Sequence, residues 1–228
     1  MEHKINTKKL KRKAAFLILI AFLFLCAVFF LPAWSFKYWQ GWVYIAELFI
    51  PMFFFLVYLL KHDTELLMRR TKMKEKEISQ KRIMGFSYLA FLAAYVIPGF
   101  DVRYGWSNMP LWVIIVGEML VLTGYLMTVS VLKHNSYASR IIEVQKGQKV
   151  ISTGPYAIVR HPMYSSVLVM YTASPLALGS YWALIPAFFI IVVIVARIFN
   201  EERVLKKDLE GYVEYTHKVR YRLIPGIW

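Results

Sequence analysis

Residues 14–31 read AAFLILIAFLFLCAVFFL, a run with no charged side chain and no break. A helix rises about 1.5 Å per residue and needs roughly 20 residues to cross a hydrocarbon core, so this run can span a membrane. Lys8, Lys9, Lys11, Arg12 and Lys13 precede it, as they would in a cleaved leader, but Pro32, Trp34 and Phe36 follow it in place of a small-residue cleavage pattern. The expectation is therefore a retained span.

Working outward, comparable apolar stretches lie at 41–60, 83–100, 111–132, 163–179 and 181–199. The expected fold is all-α: a polytopic integral membrane protein of five or six transmembrane helices with a cytoplasmic C-terminal amphipathic helix. Five is the number if 163–179 only dips into the bilayer. The composition agrees, with 58% hydrophobic residues, 18% charged residues and a mean hydropathy of +0.47. Lys and Arg crowd into alternate segments: the stretch before residue 14, 61–82, 133–162 and the tail from 200, while only Lys37 and Arg103 fall in the intervening loops. The positive-inside rule then puts both termini in the cytoplasm for six spans, in a bacterial inner membrane or its equivalent. A net charge of +14 placed beside lipid headgroups needs no nucleic acid to explain it. The one cysteine, Cys26, sits within the first span and suits packing.

The chain reads as one membrane domain, 1–228, in which 1–132 are scaffold and 133–228 carry the chemistry. Trp34, Trp39, Trp42, Trp106 and Trp112 mark expected interfaces. The stretch Lys61–Arg82, free of Gly and Pro, suits a helical extension along the cytoplasmic surface. Two acids fall inside spans and must meet protein, water or a cation. Glu47 is expected to reach a nearby interface, and Glu118 either to hydrogen-bond structurally or to wall a substrate cavity.

After residue 147 the character changes to GQKVISTGPYAIVRHPMYSS, residues 147–166. Pro162 suits the first position of a helix, with His161 at its cap. The open amides there, with Arg160 and His161, suit an anion such as an amino-acid carboxylate, and Tyr164 lies within reach one turn on. A second polar cluster, ARIFNEERVL at 196–205, closes the last span. Arg197 and Glu201 share a helical face, and the antiparallel return of the last two spans brings Glu201 back to the depth of Arg160 and His161.

The ordered combination of GPYAIVRHPMY, a helical hairpin, RIFNEERVL and GYVEYTHKVRYRLIPGIW resembles the isoprenylcysteine carboxyl methyltransferase family and its bacterial and archaeal relatives over residues 135–228. Phospholipid N-methyltransferases share a related pattern. The resemblance implies S-adenosylmethionine as cofactor, wrapped at its nucleoside by Gln148, Lys149, Val150 and Ile151. Around it stand Tyr156, Arg160, His161, Pro162, Met163 and Tyr164, with Glu201 and Glu202 also at the cofactor. Arg197 matches the arginine that lies beside the acceptor carboxylate, so Arg197 and Glu201 are the expected catalytic residues. Ser166 departs from the glycine often found there, which puts close helix contact at that point in doubt.

The expected reaction is methyl transfer to a lipophilic acceptor: a prenylcysteine-like or other hydrophobic acid, or a lipid amine. A competing reading is the NADPH-dependent sterol reductases, which also carry an RHPxY segment but have Asn where this chain has Met163 and lack the paired glutamates. The tail tyrosines Tyr212 and Tyr215 suit either a lid over the cofactor or a plain surface helix. His3, His62, His134, His161 and His217 have no metal-ligand spacing, so no metal is expected. Expected partners are membrane lipids and a lipophilic substrate, with no nucleic acid and no obligate protein partner.

Overall fold

The computed structural model describes residues 7–71, 78–138, 144–145 and 147–228. It is helical, with no strand among the described residues: α1 (Thr7–Ala33), α2 (Trp39–His62), α3 (Thr64–Arg70), α4 (Ile78–Tyr104), α5 (Leu111–His134), a 3-10 turn at Gly154–Ala157, α6 (Pro162–Ala177), α7 (Leu184–Asp208) and α8 (Tyr212–Lys218). Helices α1, α2, α5 and α7 are each long and apolar enough to cross a bilayer. Their outward faces expose Phe16, Leu23, Phe54, Met119 and Phe188, side chains that only lipid would solvate. The protein is thus a multi-pass, all-α membrane protein.

The apolar runs become helices, but three expectations change. The continuous extension over Lys61–Arg82 is interrupted at Asp63, whose backbone leaves the helical region (φ −151°, ψ 73°) and whose carboxylate caps α3 by accepting from Leu66 N at 2.8 Å. Residues 72–77 of that stretch lie outside the described residues. Helix α7 runs nine residues beyond the end expected for its span at 199, which keeps Glu201 on the helical face it was expected to share with Arg197 and makes Glu202 helical as well. The C-terminal helix is only seven residues long, and residues after it turn back: the Trp228 carbonyl accepts from Arg222 N at 2.8 Å and from Leu223 N at 2.9 Å.

Helices α5 and α6 pack most intimately because glycine lets their backbones approach. A methyl added to Gly117 would stand 2.4 Å from Ala177 N, and one on Gly124 would stand 2.8 Å from the Ser166 carbonyl. This answers the doubt over Ser166. It is fully buried, and its hydroxyl meets Thr128 Oγ1 at 2.8 Å and the Met163 carbonyl at 2.8 Å. The small residue that permits close contact stands on the partner helix, as Gly124.

At the bundle end away from α3 and α8, polar groups are knotted together. Asp101, almost wholly buried, accepts from Ser107 N and Ser107 Oγ at 2.6 Å and from Ser180 Oγ at 2.5 Å, joining the α4–α5 and α6–α7 turns. Deeper in, Tyr44 bridges Tyr95 at 2.9 Å and Ser174 at 2.7 Å, inside a core of Phe29, Val121, Met170 and Ala177. Cys26 packs at the edge of this core. Glu47 is partly buried. It sits one-third of the way along α2, where its carboxyl and that of Glu118 on α5 face each other. Both Glu118 carboxyl oxygens and Glu47 Oε2 are buried without a hydrogen-bond partner among the described residues.

Candidate active site

The opposite end of the bundle holds a cavity built from four pieces of chain. The α5 C-terminus and the loop after it give Asn135, Tyr137 and Ala138. The extended segment gives Gln148, Lys149, Val150 and Ile151. The turn leading into α6 gives Tyr156, Arg160, His161, Pro162, Met163 and Tyr164. From α7 and α8 come Arg197, Glu201, Leu205, Leu209, Tyr212 and Tyr215. Every site residue expected from sequence therefore lines one cavity, except Glu202.

Pro162 begins α6 and His161 is its N-cap residue, as the sequence suggested. This fixes the direction in which Tyr164 leaves the first turn. Its hydroxyl donates to Glu201 Oε2 at 2.6 Å and accepts from Arg197 Nε at 2.8 Å. Arg197 and Glu201 lie one turn apart on α7, so a single phenol on α6 ties both to a common plane beside the cavity. The Tyr164–Glu201 contact is at the short end of the O–H···O range.

Glu202 is the next residue, yet about 100° of helical rotation turns it to the other side. It is nearly fully buried, and both oxygens are used. Oε1 accepts from Arg160 Nε at 2.7 Å and faces His161 Nε2 at 3.3 Å, while Oε2 accepts from Arg222 Nε at 3.1 Å. Arg160 Nη1 donates to the carbonyls of Val219 and Arg220 at 2.9 and 2.8 Å. The backbone joins in, with Arg160 N bonded to Tyr221 O and His161 N to Arg222 O, both at 2.9 Å. The sequence suggested that Arg160 and His161 meet a ligand anion and that Glu202 meets the cofactor. The structure gives them another geometry. The guanidinium Nε and Nη1 bond Glu202 and the tail, and Arg160 and His161 also line the cavity.

That clamp folds the tail across the cavity. Tyr212 and Tyr215 are buried, their rings 5.7 Å apart, and Tyr215 donates to the Tyr156 carbonyl at 2.7 Å. Of the two readings open for the tail, the one that covers the cavity describes its position. Asn135 Nδ2 donates to Tyr156 Oη at 2.9 Å, and burial pushes the Tyr156 phenol up to about 12, so it stays protonated and can donate. Burial raises Tyr212 and Tyr215 as well. The Tyr212 hydroxyl has no hydrogen-bond partner among the described residues although it is buried in the cavity wall.

Sequence reasoning missed Asn135, Tyr137, Ala138, Leu205 and Leu209. Asn135 follows the basic end of α5 as its C-cap, a position that usually signals only termination. Glu118 lies outside this cavity's lining, which withdraws the suggestion that it walls this site.

Comparison with known proteins meets the geometry at this point. Residues 112–210 match the phospholipid methyltransferase family model. The chain is 30% identical over 142 residues to protein-S-isoprenylcysteine O-methyltransferase B of Arabidopsis thaliana, an alignment covering 60% of this chain and 68% of that protein. The stretch matched by the family model contains the α5–α6 contact, the RHP turn and the glutamate pair of α7. With the motif, the hairpin and the shared cavity all in place, the chain belongs to the isoprenylcysteine carboxyl methyltransferase family of integral membrane methyltransferases.

Proposed function

We propose that the protein transfers a methyl group from S-adenosylmethionine to a lipophilic acceptor at the cytoplasmic membrane face. The observation that carries this is the Arg197–Tyr164–Glu201 chain at the wall of a cavity that also offers an unpartnered buried hydroxyl. The residues fit the cofactor's mixed chemistry. Val150, Ile151, Leu205 and Leu209 offer apolar contact to a nucleoside, while Gln148 and the Tyr212 hydroxyl offer hydrogen bonds. When bound, S-adenosylmethionine supplies an electrophilic methyl carbon whose departure leaves a neutral thioether.

The protein's part is then alignment and exclusion of water more than proton transfer. Glu201, held by Tyr164, presents negative charge to a cationic ligand. Arg197 holds an acceptor carboxylate by a charge-assisted bond, and a carboxylate needs no general base. For an amine acceptor, Glu201 is the group placed to take the proton. Tyr212 and Tyr215 keep water from the reacting groups. Both comparisons are with methyltransferases, which does not favour the reductase reading.

The acceptor arrives from the bilayer and the cofactor from the cytosol, meeting where α6 and α7 end. In this reading α4 and α6 join the four long apolar helices to give six crossings. Helix α6, 16 residues and about 24 Å long, is completed by the turn after it. Both termini then face the cytoplasm, in a bacterial inner membrane or its equivalent, with membrane lipids and no obligate protein as partners.

Calorimetric titration of S-adenosylmethionine into purified protein tests the cofactor, alongside a Tyr164→Ala variant. Micromolar binding that the variant loses is the expected result. Absence of binding to folded wild-type protein would overturn the proposal and make NADPH the next ligand to titrate.

A further inference from the structure

Asn135 lines the cavity, and both polar atoms of its side chain are engaged. It is the C-cap of α5, with an extended backbone (φ −137°, ψ 93°), and its Oδ1 accepts from Tyr137 N at 3.0 Å. A backbone amide can only donate, so this bond decides which end of the side-chain amide is the oxygen. The other end, Nδ2, therefore donates to Tyr156 Oη at 2.9 Å.

The turn around Asn135 is braced from three directions. The Asn135 carbonyl accepts from Ala138 N at 3.1 Å. From α3, Asp63 accepts from the Ser136 hydroxyl and Arg69 donates to the Ser136 carbonyl, both at 2.5 Å. Gln145 Nε2 donates to the Tyr137 carbonyl at 3.0 Å and the Tyr137 hydroxyl to the Gly147 carbonyl at 3.3 Å, which stitches the turn to the segment carrying Gln148, Val150 and Ile151. Held this way, the amide presents an N–H to Tyr156 in one sense only.

The consequence falls on the phenol. Tyr156 Oη already accepts from Asn135, so its own proton must go elsewhere, and among the described residues it meets no acceptor. The Tyr156 backbone is fixed by the Tyr215 hydroxyl at its carbonyl, and its side chain lines the same cavity as Gln148 and Ile151. We propose that Asn135 is a positioning residue: by donating to Tyr156, it reserves the Tyr156 proton for a lone-pair atom of the cofactor's nucleoside, such as a ring nitrogen. This rests on the S-adenosylmethionine reading and adds to it a residue outside the sequence motifs. An amide at this position suits the task and a carboxylate does not, because a carboxylate would take the phenol proton as acceptor and leave oxygen lone pairs facing the ligand.

The test is calorimetric binding of two ligands, S-adenosylmethionine and methylthioadenosine, an uncharged nucleoside that lacks the amino-acid part. The proteins are wild type, Asn135→Asp, Asn135→Ala, Tyr156→Phe and the two double variants. Asn135→Asp keeps the bond from Tyr137 N and reverses the one to Tyr156, whereas Asn135→Ala removes both and frees the phenol. A residue that merely braces the turn would make Asn135→Ala the weaker binder. Reservation of the proton makes Asn135→Asp the weaker one, by about tenfold or more for both ligands, against about threefold for Asn135→Ala and about threefold to tenfold for Tyr156→Phe. In the Tyr156→Phe background, Asn135→Asp lowers affinity no further. Asn135→Asp binding as tightly as Asn135→Ala, additive losses in the double variant, or methylthioadenosine affinity that no substitution changes overturns the inference. Should Asn135→Asp fail to melt as a folded protein, the Asn135→Ala and Tyr156→Phe pair decides by the same additivity. Wild type that binds neither ligand is a separate result and sinks the cofactor proposal itself.

Discussion

Glu201 and Glu202 are neighbours on one helix and yet belong to two differently built regions. Around Glu202 the carboxylate is fully engaged: Arg160, His161 and Arg222 converge on it, and Arg160 Nη1 goes to two tail carbonyls. Around Glu201 the bonding is a chain, Arg197 to Tyr164 to Glu201, that borders open space. The first region resists change because each of its members is needed by two others. The second retains capacity for a visitor. How completely a polar cluster satisfies itself separates structure from chemistry here better than residue type does, since both clusters consist of Arg, Glu and a ring.

The largest effect should come from the saturated region. Glu202→Ala leaves two arginines and a histidine without their carboxylate, a loss of about 3 to 5 kcal/mol for a broken buried pair. The expected outcome is a failure to accumulate folded protein, read by detergent size-exclusion and thermal melting. A variant with normal melting would show that the clamp is not what holds the tail. Next in size, Arg197→Ala should leave the fold and cofactor binding near wild type while turnover drops by about a hundredfold or more, as for loss of one preorganised charged donor. Retention of full turnover would remove Arg197 from the reaction. Smallest is Tyr212→Phe, which deletes only the unpartnered hydroxyl. Stability should hold or rise slightly, and S-adenosylmethionine affinity should fall by about threefold to tenfold, measured by calorimetry. An unchanged affinity would mean that the hydroxyl meets no ligand atom.

Much of the fold was legible because a bilayer imposes simple rules. Apolar runs longer than about 17 residues become crossing helices, and charge alternation orders the loops. The site was legible in composition for a different reason: RHPMY and NEERVL place charged groups at the ends of apolar helices, where water is scarce. Orientation was not legible. Nothing in NEERVL says which glutamate faces the cavity, because that depends on the rotation of α7 against α6, where Tyr164 meets Arg197 and Glu201. The bonding of Arg160 and Glu202 was hidden for the same reason: Arg222, which donates to Glu202, and the Val219, Arg220 and Tyr221 carbonyls, which accept from Arg160, lie in a tail whose return to residue 160 is invisible to periodicity. Asn135 was overlooked because it ends a helix, and a helix end ordinarily explains such a residue by itself.

The tail's attachment has a kinetic consequence. It is held at Arg160 and His161 by backbone pairing, at Glu202 through Arg222, and at Ser165, whose hydroxyl donates to the Leu223 carbonyl at 2.7 Å. Fastenings that share residues release together, so the cover opens as a unit and not by fraying from its tip. On the proposed function, a spent cofactor leaving by this side would wait for that release, and a protease added during turnover would report how often the tail is unfastened.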